Sequence, residues 1–195
     1  MPPRLFILDY GGVLATPQPA ADIEALAEEI GLDVAGLTEA YWAHRRPFDL
    51  GEEPGSYWSA VAGRPLGADQ VARLEELDQA SWSHPDPAAL ALVKQLLDGG
   101  ARFALLSNAP AGLAAAIDRL AWMEPVQRRF YSCRLGVAKP DPRAYRAVLE
   151  QLGADPGEAF FVDDRPDNVA GAQRVGIPSM RFTSAQDVAA RLAAG

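Results

Sequence analysis

Short, unbroken apolar runs separated by stretches of helical period constrain this chain more than any other feature. Leu5–Leu8, Phe103–Leu106 and Ala159–Val162 are each wholly apolar, and each is followed at once by polar or glycine-bearing residues. Runs of that length read as strands buried on both faces, ending where the backbone turns. Helical periodicity fills the spaces between them: Ala88–Leu97 closed by Gly99-Gly100, Ala111–Leu120, Pro142–Leu152, Asn168–Val175 and Ala185–Ala193. Two shorter runs, Phe130–Cys133 and Ser179–Phe182, complete the set of expected strands. Alternation at these lengths predicts an α/β fold: a Rossmann-like parallel sheet with right-handed helical crossovers.

One stretch breaks the alternation. From Pro17 to His84 no strand is expected; the segments Asp22–Ile30, Leu37–Arg46, Ser56–Ala62 and Ala68–Ala80 read as helices, ended by Gly31, Pro47 and Gly63 where breakers are present. The last places Val71, Leu74 and Leu77 on one face. The expected organisation is therefore a core of residues 1–16 and 85–195 with a helical insertion of residues 17–84.

Charge and cysteine content narrow the function classes. A formal net charge of −8 disfavours a nucleic-acid partner and offers no basic patch for a membrane surface. No apolar run is long enough to span a bilayer, and Met1–Arg4 leads straight into the first strand without a signal peptide. With Cys133 alone there is no internal disulfide, and the expected location is a reducing cytoplasm. His44 and His84 are too few and too far apart for a zinc site.

The chemistry sits at the ends of the apolar runs. Leu5–Leu8 delivers Asp9, followed by Tyr10-Gly11-Gly12; Phe103–Leu106 delivers Ser107-Asn108; Ala159–Val162 delivers Asp163-Asp164; and Lys139 precedes a helix with Asp141 as its cap and Pro142 at its first position. In an open α/β sheet these ends converge. Each residue also has a plain structural use: Ser107-Asn108 and Asp163-Asp164 as helix caps, Gly12 as a turn residue. Taken in order, Asp, Ser, Lys and Asp-Asp resemble the four motifs of the haloacid dehalogenase (HAD) superfamily.

That resemblance implies a HAD-like hydrolase with a C1-type helical cap over the site, hinged near Ala15–Pro19 and Ser83–Pro87. It implies that Asp9 attacks a phosphoryl group to form an aspartyl-phosphate, and that Asp9, the Gly11 carbonyl, Asp163 and Asp164 hold Mg²⁺. Ser107, Asn108, Gly12 and Lys139 would hold the phosphate of a small phosphorylated metabolite, and Lys139 would keep Asp9 ionised. Arg45 and Arg46, ordinarily a solvated face, are candidate substrate contacts from the cap. The aromatic residues Tyr41, Trp42, Tyr57 and Trp58 read as cap core, and Cys133 as a small core residue in a strand.

One departure matters. Many members carry Asp-x-Asp, the second acid protonating the leaving oxygen, whereas here Gly11 stands at that position in an Asp-x-Gly-Gly motif. The loss of a general acid costs roughly 10²–10⁴-fold and hurts poor leaving groups most. A branch resembling sugar-1-phosphate phosphatases shares the glycine. Gly11→Asp is accordingly expected to help poor leaving groups more than good ones. The alternatives are a non-catalytic protein that binds a phosphorylated ligand or a partner, and a metal-independent haloacid dehalogenase. Against the latter, the paired acids near Asp9 crowd negative charge.

Overall fold

The computed structural model describes residues 5–193, so the expected lead-in Met1–Arg4 lies outside the described residues. Five strands, β1 (Leu5–Leu8), β2 (Arg102–Ser107), β3 (Arg128–Tyr131), β4 (Ala159–Asp163) and β5 (Ser179–Arg181), form one all-parallel sheet in the order β3-β2-β1-β4-β5. The predicted α/β class is the observed one. Strand β1 is central: Leu5 faces Arg102 on one side and Ala159 on the other. The chain therefore leaves β1 towards opposite edges of the sheet, and the crevice for a ligand opens above β1.

The side chains of β1, β2 and β4 alternate between two apolar layers. Phe6, Leu8, Phe103, Leu105, Phe160 and Val162 pack with helices α5 (Pro87–Asp98), α6 (Ala111–Arg119) and α10 (Ala185–Ala193). Leu5, Ile7, Ala104, Leu106 and Phe161 face α8 (Pro142–Leu152) and α9 (Pro166–Gln173). Asp86 caps α5, accepting from the Ala88 and Ala89 N–H at 2.9 Å, with Pro87 at the first position. Asp141 and Pro142 start α8 in the same way.

Between β1 and α5 lie four helices, α1 (Ala20–Ile30), α2 (Val34–Asp49), α3 (Pro54–Ala62) and α4 (Ala68–Ser81). Their own core contains Tyr41, Phe48, Tyr57, Trp58 and Leu74, with Val71 and Leu77 against it. The two chain crossings that join this block to the sheet run side by side. The Thr16 N–H donates to the His84 carbonyl and the Asp86 N–H to the Leu14 carbonyl, both at 2.9 Å.

Three expectations need correction. Helix α2 does not stop before Pro47; Pro47 lies in its last turn, where the ring forfeits one ladder bond but the helix has only two more residues to run. That extra length puts Asp49 at the helix end, where its carbonyl accepts from Ser132 Oγ at 2.5 Å. Next, β3 ends at Tyr131, and Cys133 sits half-buried in the short helix α7 (Ser132–Leu135), not in a strand. Of the aromatic residues expected in the helical core, Trp42 is the exception, at 49% exposed. Among the described residues no helix is long and apolar enough to cross a membrane.

Candidate active site

Asp9 follows β1 directly, and its N–H still pairs with the Val162 carbonyl of β4 at 3.0 Å. Beyond it the chain folds tightly: the Leu14 and Ala15 N–H groups both donate to the Tyr10 carbonyl, at 2.8 and 2.9 Å. Gly12 takes a positive φ of 74° in this turn, a conformation that favours glycine. The Tyr10 N–H donates to Asp9 Oδ1 at 2.7 Å, fixing the carboxylate against its own backbone.

Lys139 arrives from the loop between α7 and α8. Its Nζ lies 2.7 Å from Asp9 Oδ1 and 2.7 Å from Asp163 Oδ2, so one ammonium bridges two carboxylates. Asn108, just past β2, fixes the loop by a reciprocal pair: its Nδ2 donates to the Lys139 carbonyl and its Oδ1 accepts from the Lys139 N–H, both at 2.9 Å. Gly171 completes the support. A Cβ there would meet the Pro140 carbonyl oxygen and the Tyr145 hydroxyl at 2.8 Å, so only glycine lets α9 press this closely on the loop.

Asp163 is wholly buried and saturated. Its Oδ1 accepts from the Arg165 N–H at 2.9 Å, Asn168 Nδ2 reaches both of its oxygens at 3.0 Å, and Lys139 holds Oδ2. Asp164, half-buried, faces the cavity instead. Ser107 ends β2 on the same side. One cavity of about 440 Å³ is shared by Asp9, Gly11, Ser107, Lys139 and Asp164 with Trp42, Arg45, Asp49 and Trp82 of the helical block, and Asp163 lies behind it.

The electrostatics favour a cation. Oxygens of Asp9, Asp163 and Asp164 lie within 4.8 Å of one another. Burial and the neighbouring Asp163 charge push Asp9 up to about 8, against the pull of Lys139. Burial would also raise Asp163, but Lys139 and the donors around it outweigh that and hold it below the usual carboxylate range. Asp164 is raised by burial and by Asp163. Three acids against one ammonium leave excess negative charge that a divalent ion would neutralise, and oxygen ligands of this kind suit Mg²⁺.

Several expected roles change. The Gly12 N–H donates to the Ala15 carbonyl at 2.8 Å and so is not free for a phosphate. What Gly12 offers is space, since a Cβ there would sit 3.0 Å from Asp164 Oδ2. The Asn108 side chain is committed to Lys139 rather than to a ligand. Pro110, not Ser107 or Asn108, precedes α6, and Arg165 precedes α9, so neither pair supplies the cap residue itself. Arg45 is not a solvated side chain. It is buried, with Nε 2.8 Å from Asp49 Oδ1 and Nη1 3.6 Å from Asp78 Oδ2, and it donates to the Tyr41 hydroxyl. Its charge is spent inside the helical block. Burial raises Asp49 and Asp78 against that guanidinium. Arg46 is exposed and lines an adjoining recess with Arg165.

Sequence reasoning missed Asn168, Asp49 and the two tryptophans Trp42 and Trp82. Asn168 had a signal, five residues beyond Asp163 at a helix start. Trp82 had none except its place beside the crossing.

Trp82 explains Gly11. A Cβ on Gly11 would lie 2.7 Å from Trp82 Cζ3, closer than packed carbons approach. The room that an acid would need is filled by an indole, so Gly11→Asp cannot simply restore a carboxyl. Gly11→Ala is expected to cost about 1–3 kcal/mol through overpacking, and much less in a Trp82→Ala background. Urea unfolding of the two single variants and the double variant checks this; additive losses would show that Trp82 does not constrain Gly11.

A family model described as haloacid dehalogenase-like hydrolase matches residues 3–176. The phosphoglycolate phosphatase of Rhodospirillum rubrum is 31% identical over 194 residues, covering 90% of this chain and 78% of the relative. The sesquiterpene phosphatase astK of Aspergillus oryzae is 28% identical over 182 residues, covering 91% and 88%. Among solved structures, a HAD family enzyme of Bacteroides thetaiotaomicron in complex with magnesium and inorganic phosphate superposes with a TM-score of 0.70 at 22% identity, covering 93% of this chain and 94% of that one. An L-2-haloacid dehalogenase of Xanthobacter autotrophicus gives 0.74 at 20% identity, covering 98% and 83%. With the family model spanning most of its length, the chain belongs to the haloacid dehalogenase-like hydrolases.

Proposed function

We propose that the protein is a Mg²⁺-dependent phosphatase of small phosphorylated metabolites, with Asp9 as the nucleophile and the helical block as a cap over the site. The observation that carries this reading is the Lys139 ammonium bridging Asp9 and Asp163 inside a cluster of three carboxylates. The phosphatase relatives support it, as does the magnesium and phosphate held by a neighbour of the same fold.

In this reading Asp9 and Asp164, with the Gly11 carbonyl, would hold the metal, and Asp163 stands behind them to position Lys139. Bound Mg²⁺ supplies positive charge that offsets the repulsion between carboxylate and phosphate. The free Asp9 oxygen attacks phosphorus; the bond from phosphorus to the substrate oxygen breaks, and that oxygen departs as an anion. Ser107 and Lys139 donate to the phosphoryl oxygens and hold them in line. Water then attacks phosphorus, the bond to Asp9 breaks, and inorganic phosphate leaves with the carboxylate restored. With Gly11 in place of an acid, the departing oxygen takes its proton from solvent.

The test is phosphate release from p-nitrophenyl phosphate, whose phenolate leaves without a proton. Turnover is expected with Mg²⁺ and none with a chelator. Turnover unaffected by the chelator, or chloride release from a 2-haloacid without metal, would overturn the assignment in favour of carbon–halogen chemistry. A folded protein that binds Mg²⁺ and phosphate but turns nothing over would favour a binding role.

A further inference from the structure

The cavity is lined both by the polar group Asp9, Ser107, Lys139 and Asp164 and by the apolar side chains of Trp42, Trp82, Pro17 and Leu113. Trp82 is fixed in place, since its Nε1–H donates to the Tyr41 hydroxyl at 3.1 Å and its carbonyl accepts from the Tyr10 hydroxyl at 2.6 Å. Trp42 meets it edge to face, with ring centroids 6.5 Å apart at 79°, yet remains 49% exposed. A half-exposed tryptophan at the mouth of a cavity leaves apolar surface for a ligand to cover.

Two independent facts bear on the leaving group. The indole of Trp82 occupies the place where a general acid would stand, so the departing oxygen must be stable as an anion. The only other carboxylate that the helical block brings to this cavity among the described residues, Asp49, is engaged by Arg45 Nε at 2.8 Å. Trp42 and Trp82 also present two indole faces at 79° to each other, so a planar π-system can stack on one and meet the other edge on. Both conditions are met when the oxygen is attached to a conjugated ring.

We propose that Trp42 and Trp82, the latter seated in the room left by Gly11, form a stacking wall for the leaving group, and that the substrate class is phosphate monoesters of planar, conjugated hydroxyl compounds. The inference rests on the phosphatase reading and assigns the specificity of that same site. Trp42 and Trp82 are positioning contacts here and play no part in bond breaking.

The test separates the two ideas by measuring binding without turnover. Calorimetry with Mg²⁺ compares phenylphosphonate with methylphosphonate, which share the anionic end and differ in the ring. The expected result is roughly tenfold tighter binding of phenylphosphonate, with most of that ratio lost in Trp42→Ala, a variant at an exposed position that spares the core. Equal affinities for the two phosphonates would overturn the wall and leave the phosphatase reading standing. A ratio undiminished in Trp42→Ala would likewise overturn it. Failure to bind either compound would refute the phosphatase reading, and the wall with it.

Discussion

Asp9→Asn is expected to lower metal-dependent phosphate release by on the order of 10⁴–10⁶-fold, the scale seen when a covalent nucleophile is removed, while making the metal-free protein more stable at pH 8. The first half follows from chemistry: an amide oxygen does not attack phosphorus, and of the other carboxylates lining the cavity Asp49 is paired with Arg45 and Asp164 is assigned to the metal. The second follows from electrostatics. Asp9 is 8% exposed and shares the Lys139 ammonium with Asp163, so the pair resists carrying two negative charges. Its folded value of about 8 lies above the unfolded 3.8, so the native state binds more protons across that interval. Stability therefore falls as pH rises from about 4 to about 8, and an uncharged residue at position 9 escapes the loss. Thermal unfolding at pH 5 and pH 8 with and without Mg²⁺, beside phosphate release, measures both halves. Mg²⁺ should stabilise the parent more than the variant. Retained activity would remove Asp9 as nucleophile; a variant less stable than the parent at pH 8 would remove the charge argument.

The contrast between what was legible in the sequence and what was not has a physical basis. Strand ends were legible because a buried parallel strand must be apolar until the backbone emerges, and Asp9, Ser107 and Asp163 mark that emergence. Helices α8 and α10 have the predicted bounds, Pro142–Leu152 and Ala185–Ala193, because α8 carries its own cap and both are strongly amphipathic. Arg45 was misread because its partners come from different turns and helices: Asp49 one turn on, Asp78 from α4. A buried ion pair spread over two helices leaves no local period to detect. Gly12 was misread because only the turn shows that its N–H already has a partner in Ala15. The deepest miss was Gly11. As a letter it signified a missing acid, whereas in three dimensions it is the vacancy that admits an indole from 71 residues away in the chain.

Lys139→Met is the second large effect, and it acts on both catalysis and stability. Lys139 is 4% exposed, and its Nζ is the only cation within hydrogen-bond reach of Asp9 and Asp163 among the described residues. Methionine fills similar volume without charge, so the two carboxylates lose their common partner while packing is kept. Breaking a buried ion pair by removing one member costs about 3–5 kcal/mol, and the loss of one donor to the transferring phosphoryl group costs about 10²–10³-fold in kcat. The pH dependence follows from the shifted groups. The carboxyl of Asp163, held below 3.8 in the fold, contributes stability above that value and loses it as pH falls through its folded value. Lys139, whose own pKa is raised by Asp163 and Asp9 despite burial, loses its contribution only at pH above 10.5. The stability gap between parent and variant is therefore widest near neutral pH and narrows toward pH 4, where protonation of the acids relieves the variant of its unpaired charge. Urea unfolding at pH 4, 6 and 8 measures the gap, and kcat on p-nitrophenyl phosphate at saturating Mg²⁺ measures the chemistry. A gap independent of pH would mean that Lys139 acts through packing alone, and an unchanged kcat in a folded variant would remove it from phosphoryl transfer.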